Sequence, residues 1–192
     1  MEPRLNEALN NLRRVYFVDA AHFVLGPFLG FLWCLTRMFV KTAPGRQRLN
    51  VLGALDAVTR ELVTVVNVMY VNADTVCELL HKISALNVGV PVTLVMDNAR
   101  YQHCRLVMDL AVKLGIELLF LPPYSPNLNL IERLWKFVKK KSLNSRYHSC
   151  FAIFKSAILD CLAELGTTYK SEMKSLLTLN FQTFSPGQFL PE

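Results

Sequence analysis

The segment Val92-Thr-Leu-Val-Met-Asp-Asn-Ala-Arg-Tyr-Gln-His-Cys-Arg-Leu-Val-Met-Asp-Leu-Ala-Val-Lys-Leu-Gly-Ile-Glu-Leu-Leu-Phe-Leu121 contains two apolar runs separated by a helical pattern. The runs, residues 92–96 and 116–121, are short and mainly apolar, which is typical of strands buried on both faces of a sheet. A helix is predicted over residues 102–114, closed by Gly115, with these side chains inward: Leu106, Val107, Leu110 and Leu114. A strand, a helix and a strand in this order predict parallel pairing.

On its N-terminal side, this segment is preceded by a second predicted crossover helix. Either Asn72 or Asp74 can cap the start of that helix. Its apolar residues recur at steps of three and four: Val76, Leu79, Leu80, Ile83 and Leu86. Two alternations of helix and strand therefore follow one another, which is typical of an α/β domain.

A β-meander is predicted before the helices. Val15–Val18 is an apolar run that predicts a buried strand, and we expect Asp19 at the end of that strand. Residues 48–55 and 61–69 flank a polar connection and predict a β-hairpin with Asp56 as a turn residue. Further candidate elements are two short strands and a turn: Phe31–Trp33, Met38–Val40 and Lys41–Gly45.

The C-terminal third is predicted to be helical. The expected helices are Leu130–Leu143, Cys150–Leu165 and Tyr169–Leu177. The predicted domain organisation is a lead-in helix in residues 1–14, one globular domain in residues 15–181 and an irregular tail in residues 182–192. The predicted element order is thus a β-meander, then helix, strand, helix and strand, then helices.

Composition limits the class of protein. With 192 residues and 52% apolar residues, the chain is expected to form one globular domain. Five widely spaced cysteines without a C-x-x-C pair favour a reducing compartment and argue against structural zinc. The apolar stretch Phe23–Leu35 is too short to span a bilayer, and the N-terminus has no signal-peptide pattern. We expect a soluble, intracellular protein with no membrane partner.

Basic residues are concentrated near the C-terminus. The net charge is +6, and residues 133–192 carry nine basic and four acidic residues. Six cations lie in one stretch that no acidic residue interrupts: Arg133, Lys136, Lys139, Lys140, Lys141 and Arg146. Such a patch suits an anionic partner such as nucleic acid, although a solvated helix face has the same composition.

Two aspartates follow predicted buried strands, Asp19 after the first and Asp97 after residues 92–96. Ligand and reaction sites in open sheets lie at the carboxyl ends of parallel strands. One aspartate there is an ordinary turn former, but two on neighbouring strands form a candidate metal site. Carboxylate ligands with few histidines favour magnesium or manganese.

A third acid, Glu132, lies at the predicted start of the helix that follows a proline-rich loop. If Asn129 is the N-cap, Glu132 occupies the third helical position, and the pair forms a capping box. A carboxylate that bonds to its own N-cap amide has less capacity for a metal. The residues themselves therefore leave both roles of Glu132 open.

Asp19, the run Val-Met-Asp97-Asn-Ala-Arg-Tyr-Gln-His103 and the run Leu121-Pro-Pro-Tyr-Ser-Pro-Asn-Leu-Asn-Leu-Ile-Glu132-Arg-Leu-Trp resemble the signature of mariner-superfamily DDE transposases, in particular the bacterial insertion-sequence branch. The 34 residues between Asp97 and Glu132 agree with that signature. Ala20 and Leu130 depart from the usual Glu and Pro. The resemblance covers the catalytic domain and implies an α/β, ribonuclease H-like fold: a mixed five-stranded sheet, with an antiparallel meander and parallel strands, flanked by helices.

The same resemblance implies a function. Asp19, Asp97 and Glu132 would be the catalytic residues and would hold two Mg²⁺ (or Mn²⁺) ions for DNA cleavage and strand transfer. Asn98 and His103 are possible auxiliary residues, and Trp135 is expected to pack in the core. The expected DNA-binding residues are Arg133, Lys136, Lys139, Lys140 and Lys141.

Expected partners are the transposon ends and target DNA, a second copy of the chain, and a separate chain that carries the helix-turn-helix domain, since 14 residues precede the first strand. The expected location is the cytoplasm, in association with the nucleoid. Two alternatives are a catalytically silent DNA-binding remnant of a transposase and a ribonuclease H-like nuclease that cuts without joining.

Overall fold

The computed structural model describes residues 1–26, 47–123 and 125–181. Within these ranges the chain forms a mixed five-stranded sheet flanked by helices, as predicted. The strands are β1 (Arg14–Val24), β2 (Arg48–Asp56), β3 (Leu62–Asn67), β4 (Val92–Met96) and β5 (Ile116–Phe120). Their order is β3-β2-β1-β4-β5. The meander β1-β2-β3 is antiparallel, and β1, β4 and β5 are parallel.

The helices lie on both faces of the sheet. They are α1 (Glu2–Leu9), α2 (Ala73–Leu86), α3 (Arg105–Lys113), α4 (Ile131–Ser142), α5 (Phe151–Ala163) and α6 (Lys170–Leu176), with a short 3-10 turn at Pro126–Leu128 before α4. Helices α2 and α3 cover one face, and α1, α4, α5 and α6 share the core on the other. Residues of the central strand β1 contribute to both cores.

Alternation along β1 decides which face each side chain joins. Val15, Phe17, Ala21 and Phe23 belong to the core on the α4 face, whereas Tyr16 and Val18 belong to the core under α2 and α3. Successive side chains on a strand point to opposite faces. Asp19 therefore points to the α4 face.

The expectation that Asp19 ends the first strand is wrong. Strand β1 continues to Val24 because β2 pairs with it along that length, with Asp19 opposite Gly53. The parallel pairing with β4, however, stops at Val18 opposite Met96. Asp19 is thus the first β1 residue beyond the end of β4, a position inside one strand and at the carboxyl end of its neighbour.

Helix α3 is shorter than predicted and is rotated from the predicted face. It begins at Arg105 because residues 99–104 form turns in which the amides of Gln102 and His103 donate to Ala99 O. Leu106, predicted to face inward, is 54% exposed. The inward residues are Val107 and Ala111, with Leu110 and Leu114 half-buried.

Several local predictions are confirmed. Asn72 caps α2, and Gly115 has a φ of +66° directly after α3, where the left-handed conformation favours glycine. The Asp56 carboxylate accepts hydrogen bonds from the amides of Val58 and Thr59, both at 2.8 Å, so it stabilises the hairpin turn. The predicted elements in residues 31–45 and the tail 182–192 lie outside the described residues.

The described helices include none that is both long and apolar enough to cross a membrane.

Candidate active site

A cleft of about 460 Å³ opens where β1, β4 and the start of α4 meet. The three predicted catalytic acids, Asp19, Asp97 and Glu132, all line it. The remaining lining residues come from the turn after β4 and from the proline-rich loop: Asn98, Ala99, Leu121, Pro122, Pro123, Ser125 and Asn129. The fold therefore brings together three acids that are far apart in sequence.

Asp19 is half-buried at the cleft wall. The pKa of its carboxyl group is raised from 3.8 to about 7. Burial is the largest cause, and the nearby carboxylates of Glu132 and Asp97 raise the pKa further, while the Ala20 amide opposes them. Burial and like charges disfavour the charged form of Asp19, and a cation beside the carboxylate would stabilise that form.

Trp135 packs against Gly53, the residue next to Asp19 across the sheet. Gly53 is the direct cross-strand partner of Asp19, and a Cβ atom on it would lie 2.8 Å from two indole carbons of Trp135. Only a glycine leaves room for the indole there. The predicted packing role of Trp135 agrees with its exposure of 2%. Its ring N–H also favours the charged form of Asp19, although Nε1 makes no hydrogen bond of acceptable geometry to any described residue.

Asp97 reaches the cleft from the end of β4. Its side chain is exposed, in contrast to that of Asp19. The chain that leaves β5 stays beside the end of β4, because the amide of Leu121 donates to Met96 O at 2.8 Å. This bond brings the proline-rich loop beside Asp97 and Asn98.

The predicted capping box at the start of α4 does not form. The N-cap is Leu130, in helical conformation, and the described residues provide no side-chain cap. The amide Nδ2 of Asn129 instead donates to Val18 O at 3.2 Å, on the strand next to it. The side chain of Asn129 is therefore hydrogen-bonded to β1 and not to its own helix. The half-buried Glu132 lines the cleft without a capping bond to Asn129.

Tyr101 is a neighbour of the acids that the sequence analysis missed. Its pKa is raised to about 12, chiefly by burial and then by the charges of Asp97 and Asp19. The sequence signal for Tyr101 was its position four residues after Asp97, and this spacing alone does not show where its side chain points. The negative field of the cleft thus extends to the turn between β4 and α3.

The acids suit a hard divalent cation in chemistry. Carboxylate oxygens are the ligands that Mg²⁺ and Mn²⁺ prefer. Within the described ranges, however, no three His, Cys, Asp or Glu side chains stand as a closed metal-ligand group. Sharing an ion would therefore require the side chains to rotate; Asp97 is exposed and Glu132 is half-buried.

The predicted auxiliary residues separate in the structure. Asn98 lines the cleft. His103 is exposed, packs edge-on against Phe120 with ring centroids 4.6 Å apart, and is not among the residues lining the cleft. Ser125 Oγ contacts Pro123 O at 3.4 Å, a contact within its own loop.

Comparison with known proteins gives the family of the chain. The family model of the DDE superfamily endonucleases matches residues 14–155. The chain belongs to the DDE superfamily endonucleases. A search of curated proteins gives no match.

Solved structures with the same fold include other DNA-processing enzymes. The mariner Mos1 paired-end complex with Mg superposes on this DDE endonuclease with a TM-score of 0.60 at 16% identity, covering 96% of this chain and 61% of that chain. The catalytic core domain of BIV integrase gives a TM-score of 0.52 at 16% identity, covering 84% and 94%. At these identities the likeness shows the ribonuclease H-like fold of integrase and transposase catalytic cores. The chain spans about six tenths of the Mos1 chain.

The basic residues predicted to bind DNA have different surroundings in this DDE endonuclease. Arg133 donates to the carbonyls of Thr178 and Asn180, both at 2.8 Å, and Lys141 pairs with Glu172 at 2.9 Å. Lys136 and Lys140 are exposed, and Lys139 is half-buried. DNA binding by these residues stays a prediction, and the two exposed lysines are the freest to contact phosphates.

Proposed function

We propose that this chain is a transposase catalytic domain that performs metal-dependent cleavage and strand transfer of DNA. The observation that carries the proposal is the common cleft of Asp19, Asp97 and Glu132. Membership of the DDE superfamily endonucleases supports the enzyme class. The fold it shares with a Mos1 strand transfer complex, at 16% identity, is consistent with the proposal.

In this proposal, the three carboxylates hold two Mg²⁺ or Mn²⁺ ions. Such ions lower the pKa of an attacking water or 3′ hydroxyl and stabilise the leaving oxygen at phosphorus. Asp19 fixes one wall of the site because it lies inside a central strand, and Asp97 and Glu132 approach from the end of β4 and the start of α4. Asn98, beside Asp97, is available to orient a phosphate or a water.

Lys136, Lys139 and Lys140 are proposed to hold the DNA backbone beside the cleft. They follow Glu132 by four, seven and eight residues on the same helix, which brings them to roughly its side. Because Arg133 and Lys141 already make internal contacts, we assign them a smaller share of phosphate binding than the three lysines.

The wider setting is also part of the proposal. The proposed partners are transposon ends and target DNA and a second copy of the chain. The coverage of 61% of the Mos1 chain is consistent with additional parts in a complete system. The sequence runs around Asp97 and Glu132 favour the bacterial insertion-sequence branch, which gives a cytoplasmic, nucleoid-associated location.

A cleavage assay tests the proposal. The chain, with and without a candidate recognition partner, is incubated with labelled transposon-end duplex in Mg²⁺, in Mn²⁺ and in chelator. We expect strand cleavage that needs the cation and is lost in Asp97→Asn. Equal cleavage by the wild-type chain and Asp97→Asn would overturn the proposal, as would cleavage that persists in chelator.

A second candidate function is a catalytically silent DNA-binding remnant, because the described acids do not form a closed metal-ligand group. That function predicts salt-sensitive DNA binding, independent of divalent cations and without cleavage. If cleavage is found, the products separate a transposase from a simple nuclease, because only a transposase joins the cut 3′ end to a second DNA.

A further inference from the structure

We propose that Asn129 is a positioning residue that sets the separation between Asp19 and Glu132. The inference rests on the proposed function, because it concerns the fit of that site to a divalent cation. Asn129 is 4% exposed and lines the cleft. Its position three residues before Glu132 is consistent with a helix cap, but the structure does not give Asn129 that role.

Two hydrogen bonds of Asn129 connect the elements that carry the two acids. Its side-chain Nδ2 donates to Val18 O, the carbonyl directly before Asp19, at 3.2 Å. Its backbone carbonyl accepts from the amide of Glu132, also at 3.2 Å. One residue is therefore bonded to the neighbour of the first acid and to the backbone of the other.

The orientation of the amide follows from hydrogen-bond chemistry. Val18 O can only accept a hydrogen bond, so the Asn129 nitrogen must face it and the oxygen Oδ1 must point elsewhere. That Oδ1 atom is buried and has no hydrogen-bond partner among the described residues. A buried acceptor without a partner costs about 1–3 kcal/mol, which offsets the gain from the bond to Val18.

Stability alone therefore does not explain an asparagine at this position. An apolar residue of the same shape would leave no orphaned acceptor and would be nearly neutral for folding. What an apolar residue cannot do is hold the start of α4 at hydrogen-bond distance from β1. The asparagine is explained if the distance between the two acids matters to the cation they share.

Cation size provides a test that a purely structural role would not pass. Mg²⁺ requires near-ideal octahedral geometry with short bonds, whereas Ca²⁺ accepts longer and more variable ones. Loss of the hydrogen bond from Asn129 to Val18 should therefore weaken Mg²⁺ binding more than Ca²⁺ binding. A general loss of folded protein would weaken both by the same factor.

The experiment is calorimetric titration of the full chain with Mg²⁺ and with Ca²⁺, at a temperature where each variant is folded by circular dichroism. The test variants are Asn129→Ala and the shape-conserving Asn129→Leu, so that loss of folding in one leaves the other. Asn72→Ala, which removes the asparagine at the start of α2 far from the cleft residues in sequence, is the matched control.

We expect the ratio of Mg²⁺ to Ca²⁺ affinity to fall about tenfold in both Asn129 variants, the size of effect seen when an outer partner of a metal ligand is removed. The control should keep the wild-type ratio. An unchanged ratio in a folded Asn129 variant overturns the inference, including when both affinities fall together. If Glu132→Gln loses Mg²⁺ binding while Asn129→Leu matches wild type, the inference fails and the proposed function stands. If the wild-type chain binds neither cation, both fail.

Discussion

Among the described helices, α2 and α4 each have an asparagine at or just before the N-cap, and the two asparagines make different hydrogen bonds. At the start of α2, Asn72 accepts a hydrogen bond from the Thr75 amide at 3.0 Å, and Thr75 Oγ1 accepts one from the Asn72 amide at 3.3 Å, which completes a capping box. At the start of α4, Asn129 and Glu132 have the same spacing, yet no box forms. The Asn129 side chain is bonded to β1 instead.

The difference lies in what surrounds each helix start. Asn72 is exposed, and its side chain accepts a hydrogen bond from an amide of its own helix that has no partner within the helix. Asn129 is buried beside a strand carbonyl, and the contact with that carbonyl takes precedence over the local cap. The same local pattern thus caps a helix in one place and is bonded to a neighbouring strand in the other, according to the tertiary contact available.

The largest effect that separates the two helix starts is expected from Glu132→Gln. Glutamine keeps the size and polarity of the side chain but removes the charge that a cation needs. We expect DNA cleavage to fall by at least about 100-fold, the scale of losing one preorganised electrostatic group. The thermal midpoint should hold or rise, because a carboxylate that raises the pKa of Asp19 is removed. Glu164→Gln, an exposed acid at the C-terminal end of α5 that does not line the cleft, is the control.

The dependence of stability on pH should distinguish the α4 side from the rest of the chain. The pKa of Asp19 is about 7 in the folded state and has its ordinary value of 3.8 in the unfolded chain, so between these values the folded state holds a proton that the unfolded state releases. The free energy of unfolding should therefore fall as pH rises from about 4 to 7, by at most about 4 kcal/mol.

Denaturant unfolding at pH 5, 6, 7 and 8 in chelator measures this slope. Asp19→Asn should flatten it over that range, and added Mg²⁺ should restore stability mainly at pH 8, where the carboxylate is ionised. A slope unchanged by Asp19→Asn would show that burial of Asp19 is not its source.

Gly53→Ala tests whether the wall of the cleft beside α4 depends on close approach of Trp135. The added Cβ would lie 2.8 Å from the indole carbons and 3.0 Å from Ile131 Cδ1, so the ring must shift. We expect a loss of about 1–3 kcal/mol in unfolding free energy, typical of overpacking, and a change in tryptophan fluorescence. Gly166→Ala, where a Cβ would meet nothing within 4 Å, should be close to neutral.

The smallest effect is expected from Asn72→Ala at the start of α2. Loss of the cap should cost about 1 kcal/mol in a urea titration and should leave cleavage unchanged when the protein is folded. A large loss of cleavage with little loss of stability would contradict the contrast between the two helix starts, since it would give Asn72 a part in the site.

Much of the fold was predictable because the apolar periods of β4, α2 and β2 are clear and their ends carry strong signals. The placement of Asp97 and Glu132 also followed from local patterns together with the family resemblance. The course of β1 beyond Asp19 was not predictable, because it depends on antiparallel pairing with a strand about 30 residues later in the chain.

Side-chain partners across elements were also beyond the sequence. Arg133 belongs to a run of cations, and nothing local indicates that its guanidinium bonds to carbonyls at residues 178 and 180. Gly53 lies in no turn and has no positive φ. The need for a glycine there follows only from the contact with Trp135, which leaves no room for a Cβ atom. Such contacts join residues far apart in sequence, which single-chain periodicity cannot pair.

The central position of β1 has a consequence for how the cleft adapts to a substrate. Asp19 is on a strand that has a neighbour on each side and a core on each face, so its backbone has little freedom to respond when DNA arrives. Asp97 follows a strand end, and Glu132 is in the first turn of a helix without a side-chain cap among the described residues. In the proposed function, adjustment of the site would therefore be asymmetric, with Asp19 held by its strand and the other two acids on less constrained backbone.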